Sequence, residues 1–219
     1  VKYGHKDTVR AFIDAGAKVN EASEYGETAL HVAAKYGCKE IVELLLIEKG
    51  AEFNITLDHS HVIFKIDNPK EQKIFNIDKQ IKSGELILDP FTPGNVLEKW
   101  INSGWVRHCH ARAVIPNNPI NIFGKHPDGS FGRGIQYPFK EPGREEYHLK
   151  WDETLLEPWK ECIRLLMRYH STDKHSKLGQ ISTEFIPNTD YGEGCKYSLF
   201  EQAIECTKWM RKTWKEINP

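Results

Sequence analysis

No apolar run in the sequence approaches the ~20 residues that a membrane-spanning helix requires, so a helical membrane protein is excluded. No long run of one charge sign appears either. The 30 Lys and Arg nearly cancel the 31 Asp and Glu, which argues against nucleic acid as a partner, because such binding rests on phosphate neutralisation. There is no C-x-x-C pair, and the five cysteines (Cys38, Cys109, Cys162, Cys195 and Cys206) are odd in number. That usage points to free thiols in a reducing, cytoplasmic compartment. The opening "VKYGHKD" has neither a Met nor a signal-peptide pattern, and reads as a chain entered partway through. What is present suffices for a core: 219 residues, 39% apolar, with six Trp. That length gives a prior of one or two domains.

An internal repeat comes first along the chain. "FIDAGAKVNEAS" at 12–23 returns as "LIEKGAEFNITL" at 46–57, Gly16 answering Gly50 and Asn20 answering Asn54. Between the copies, "YGETALHVAAKYGCKEIVELLL" gives Ala33, Ala34, Ile41, Val42, Leu44 and Leu45 as the apolar faces of two short antiparallel helices. "TALH" at 28–31 resembles the T-P-L-H signature of ankyrin repeats, with Ala29 in place of Pro. Residues 5–54 resemble one whole ankyrin repeat plus the second half of another, and a first domain is drawn at 1–54. The resemblance implies a protein-binding surface, and it makes His31 a structural residue that hydrogen-bonds between neighbouring turns. Ankyrin stacks need at least ~3 repeats to bury a continuous core, so this segment is expected to lean on upstream repeats or on the remainder of the chain.

From residue 55 onward the composition shifts to Trp, Pro and Gly-rich loops. Three β-branched, apolar segments read as strands: "ITLDHSHVIF" (55–64), "WVRHCHARAV" (105–114) and "GQISTEFIP" (179–187). Amphipathic helices follow two of them. One, at 153–170, places Leu155, Trp159, Ile163, Leu166 and Tyr169 on a stripe; the other, at 197–217, does so with Phe200, Ala203, Met210 and Trp214. Weaker helices are read at 69–82 and 94–103. Strand–connection–strand alternation of this kind is the pattern of a parallel α/β sheet or barrel.

All three strands carry residues of metal-ligand type. Residues i and i+2 share a strand face, so His108, His110 and Arg112 point one way, and Asp58 shares its face with Ser60. Glu184 sits near the end of its strand, and His61 lies at the exit of the first. Active sites of parallel α/β architectures lie at the C-terminal strand ends. Carboxylates and imidazoles delivered there suit a divalent metal such as Mn, Mg, Co or Zn.

Residues 55–219 resemble the C-terminal part, strands six to eight, of a xylose-isomerase-like TIM barrel, the sugar isomerase/epimerase superfamily. "DHSH" resembles the sixth strand, "HCHAR" the seventh, "STEFIP" with the following "DYG" the eighth and its loop, and "DGSFGRGIQYPF" (128–139) the Gly-rich loop after the seventh. The resemblance implies Asp58, His110 and Glu184 as metal ligands and His61, His108 and Arg112 as substrate-binding residues. Glu184 would double as the catalytic base for proton transfer beside the carbonyl of a sugar or polyol. Strands one to five and the family's first ligand, a Glu on its fourth strand, have no counterpart here. The fold expected is therefore α + α/β, ankyrin hairpins followed by a partial (β/α) barrel of about three parallel strands, incomplete and inactive as this chain. Such an arc should expose apolar interior and two strand edges.

Other features read more plainly. "FGRG" (131–134) lacks the G-K-[ST] ending of a phosphate loop and is read as a turn, with a phosphate contact through Arg133 as the alternative; "PNNP" at 116–119 is an ordered turn. His126, His148, His170 and His175 fall in loops or at helix ends. Two functions stand side by side: part of a divalent-metal-dependent sugar isomerase, epimerase or lyase, and an ankyrin-type protein-interaction module with a structural barrel remnant.

Overall fold

The computed structural model describes residues 4–48, 54–117, 120–121 and 124–219. Gly50 of the repeat, and Asn118 and Pro119 of the P-N-N-P turn, lie outside them. The chain divides into two compact units, residues 1–54 and 55–219.

The first unit is helical: α1 (Lys6–Asp14), α2 (Ala29–Lys35) and α3 (Lys39–Glu43), the last running on into a π-turn at Leu44–Glu48. Val9, Leu30, Ala33, Ile41, Leu44 and Leu45 form its core, whereas Ala34, assigned to the apolar face by the sequence, is exposed. Thr28 starts α2 through a capping box whose far partner is a histidine. The Thr28 N–H donates to His31 Nδ1 at 3.2 Å, and the His31 N–H donates back to the Thr28 hydroxyl at 3.5 Å. Two orphan groups of the helix start are thereby satisfied locally. Among the described residues His31 caps its own helix.

The second unit is a three-stranded parallel sheet in the order β1 (Ile55–Leu57), β2 (Val106–Ala111), β3 (Gln180–Thr183). Between β1 and β2 come four short helices: α4 (Ser60–Ile63), α5 (Pro69–Ile74), α6 (Asp78–Lys82) and α7 (Val96–Asn102). The long helices α8 (Glu157–Thr172) and α9 (Leu199–Ile217) flank β3 in sequence. Leu57, Cys109 and Ala111 point from the sheet into a core shared with Trp159, Ile163 and Leu166 of α8 and Cys206 and Met210 of α9. A closed barrel is not formed by the described residues.

Several boundaries differ from the sequence reading. The first strand stops at Leu57 instead of Phe64, because Asp58 Oδ1 accepts hydrogen bonds from the N–H and the hydroxyl of Ser60. An Asp that captures the backbone two residues on turns the chain out of the strand. The expected helix at 69–82 breaks in two at Asn76, which adopts a positive φ of 55°. Along α9 the buried face is Gln202, Cys206, Met210 and Thr213, while Phe200 is 75% exposed. Leu155 likewise faces solvent, in the 3-10 turn (Glu153–Leu156) that precedes α8. The sheet face away from the helices is polar rather than apolar: His108, His110 and Ser182 on it are half-buried, and Thr56 is exposed. No described helix is long and apolar enough to cross a membrane.

Candidate metal centre

The C-terminal ends of the strands converge on one point. Asp58 follows β1, His110 is the penultimate residue of β2 and Glu184 follows β3, its N–H donating to the Ala111 carbonyl at 3.3 Å. Parallel pairing places His110 opposite Ser182, so His110 and Glu184 end up as neighbours although 74 positions separate them in sequence. One donor atom from each of Asp58, His110 and Glu184 lies within 4.8 Å of the other two. Ligands sharing one ion at about 2.1 Å stand at most about 4.2 Å apart. The trio can share a divalent cation only if its widest separation closes by at least about 0.6 Å, and two carboxylates with an imidazole suit Mn, Mg, Co or Zn.

Arg112 organises the cluster. It is 2% exposed, and its guanidinium donates to Asp58 Oδ2 at 2.6 Å and to Glu184 Oε2. A third bond reaches the Ser60 hydroxyl at 3.3 Å, and the Tyr191 ring covers the group at 4.0 Å. The planar fork is suited to such paired carboxylates. Burial would raise the Asp58 carboxyl, but Arg112, the Ser60 hydroxyl and His61 together hold it below its ordinary pKa. Each carboxylate offers about four lone-pair sites, so ligation of a cation and the bonds to Arg112 are compatible. Among the described residues Glu184 Oε1 takes no hydrogen bond, which leaves it open.

The remaining expected site residues line the same face. His61 Nε2 lies 3.4 Å from Asp58 Oδ2 and 3.3 Å from the Tyr191 hydroxyl. Burial, opposed by Asp58 and aided by Arg112, Lys65 and Arg133, lowers its pKa and favours the neutral ring. His108 Nε2 lies 2.7 Å from the Ser182 hydroxyl, with its ring edge-on to His110. Arg112, expected to face substrate, is instead committed to the two carboxylates. His59 takes no part in the cluster. It is buried against the Trp159 ring, with Nδ1 3.7 Å from Cys109 Sγ, and burial pushes its pKa down to about 4.

Two elements of the site escaped the sequence reading. Tyr191 appears there only as part of the "DYG" loop, yet it covers both Arg112 and His61. The Gly-rich loop is held beside it: the Arg133 N–H donates to Asp190 Oδ1 at 3.0 Å, and its guanidinium pairs with the buried Glu71 at 3.0 and 2.5 Å. Gly132 is required there, since a Cβ would collide with the Thr189 carbonyl oxygen.

Against known proteins, the similarity lies in the first unit. A family model described as ankyrin repeats (3 copies) matches residues 1–56. An ankyrin repeat protein of fowlpox virus (strain NVSL), FPV233, is 42% identical over 55 residues, 25% of this chain and 10% of that protein. The N-terminal segment therefore carries ankyrin repeats, and the chain spans about a tenth of that relative's length. No solved structure matches the chain.

Proposed function

We propose that the ankyrin segment serves as a protein-interaction module. The family match over residues 1–56 carries this reading. The segment also bears two exposed aromatics: Tyr25, 82% exposed in the turn before α2, and Tyr36 at the end of that helix. Exposed aromatics are the side chains that most often anchor protein contacts. Affinity capture with the full chain, compared with a Tyr25→Ser, Tyr36→Ser variant, tests it. The reading requires a defined protein whose capture depends on those residues, and fails if every captured protein is retained equally by both.

A second reading belongs to residues 55–219 and is favoured by the convergence of Asp58, His110 and Glu184 within 4.8 Å. This unit would hold a divalent cation as the C-terminal part of a sugar isomerase- or epimerase-like barrel, with His61 and His108 facing a sugar or polyol. The cation, when bound, would polarise substrate oxygens. The chain's own residues have separate tasks. Arg112 and Ser60 fix the ligand carboxylates, the neutral His61 ring is free to accept or donate a substrate hydrogen bond, and the open Glu184 oxygen can take a proton. Calorimetric titration with Mn²⁺ or Co²⁺ tests the site. Glu184→Ala and His110→Ala should weaken binding at least tenfold, and His126→Ala and His175→Ala should leave it unchanged. Equal effects from all four substitutions would refute it.

A further inference from the structure

Lys65 follows helix α4 and turns its ammonium back into the molecule. The residue is 8% exposed, its Nζ donates to the His61 carbonyl oxygen at 2.5 Å, and it lies 4.1 Å from the centre of the Phe75 ring. An ammonium carries three donors. Among the described residues no carboxylate forms an ion pair with this one. A lysine that merely caps the end of a short helix accounts for one of those donors and leaves the burial unexplained, because a sequestered ammonium with no carboxylate in contact is costly, and Glu71 and Asp58 act on it only from beyond ion-pair distance.

A second cation stands beside it. The Arg133 guanidinium lies 5.8 Å from the same Phe75 ring and 5.7 Å from that of Phe64. Its carboxylate partner Glu71 is consumed in a two-point bond with Arg133. Burial and the Arg133 charge lower the Lys65 pKa, against the opposing pull of Glu71 and Asp58. The residue that holds Lys65 through its carbonyl is His61, whose ring touches the metal-ligand candidate Asp58.

We infer that Lys65, with Arg133 beside it, receives an anionic substituent, phosphate or carboxylate, on the substrate handled at the Asp58–His110–Glu184 cluster. The substrate class is then a sugar phosphate or a sugar acid. An ammonium recognises either as a point charge through charge-assisted hydrogen bonds. The link to a substrate rests on the metal-site reading; the anion affinity does not.

The test is calorimetry on the full chain in EDTA at low ionic strength, titrating inorganic phosphate in one arm and gluconate in the other. One-to-one binding is expected in at least one arm, and the arm that binds identifies the substituent. Lys65→Met should weaken it at least tenfold, while Lys65→Arg retains it and Lys70→Met, at an exposed position of α5, matches the unsubstituted chain. Should Lys65→Met fail to fold, the unsubstituted chain with ¹⁵N-labelled lysine decides: the ligand must shift the Lys65 ammonium resonance. No binding in either arm, unchanged binding in Lys65→Met, or an unmoved Lys65 resonance would overturn the proposal. Since metal is absent throughout, failure here is distinguishable from failure of the metal site.

Discussion

Replacing Arg112 with methionine keeps an unbranched chain under the Tyr191 ring and removes the charge between two carboxylates. Asp58 and Glu184 would then face each other with side chains only 19% and 28% exposed. Removing one partner of a buried ion pair costs about 3–5 kcal/mol. Partial solvent access to both carboxylates reduces the expected loss to about 2–3 kcal/mol at pH 8. The variant's carboxylates should relieve the repulsion by sharing a proton, and each unit of upward pKa shift recovers about 1.4 kcal/mol. The loss should therefore shrink by about 1 kcal/mol at pH 5. In the unsubstituted chain Asp58 titrates below its ordinary pKa. Its contribution is thus intact above about pH 4 and lost as pH falls through the folded value. All six Trp (Trp100, Trp105, Trp151, Trp159, Trp209 and Trp214) lie in the second unit, so Trp fluorescence follows its unfolding alone. With a urea slope of about 2 kcal/mol/M, the midpoint should fall by about 1 M or more at pH 8. A loss below about 1 kcal/mol, or one equal at pH 5 and pH 8, would refute the role given to Arg112.

The same fluorescence assay checks two further expectations. His59 is fully buried with its pKa depressed to about 4, so the unfolded chain binds a proton that the folded chain refuses between about pH 6.5 and 4. Stability must fall across that window, by about 2 kcal/mol at pH 5 from this residue, and His59→Phe, which keeps the stacking on Trp159, should remove most of the drop. A variant with the full pH dependence would contradict this. Arg112 itself helps to depress His59, so the Arg112 comparison is made in the His59→Phe background, where that contribution is absent. Gly132→Ala should cost about 2 kcal/mol, since the new methyl meets the Thr189 backbone and overpacking costs about 1–3 kcal/mol; an unchanged melting temperature would show that the two loops part freely.

Local chemistry carried much of this protein in its sequence. The repeat, the two short helices between its copies and the positions of three strands follow from periodicity and side-chain type, which act over a few residues. The ligand types at Asp58, His110 and Glu184 stand out for the same reason: polar groups in apolar strands need a purpose. Where the reading failed, a competing interaction decided. Asp58 ended β1 by capturing Ser60, and α9 turned Gln202 inward and Phe200 outward because its neighbours, rather than its own pattern, set the buried face. The Lys140 N–H, for example, donates to Gln202 Oε1 at 2.7 Å. His59 and His61 are of one type and two positions apart, yet one entered the core beside Trp159 and the other the polar face beside Tyr191. Only the fold could separate them, because the α4 turn between them rotates successive side chains by about 100°. The convergence of Asp58, Arg112 and Glu184 is likewise tertiary. Parallel pairing across long crossovers brings their strand ends together, and a buried guanidinium between two carboxylates exists only once that pairing has formed.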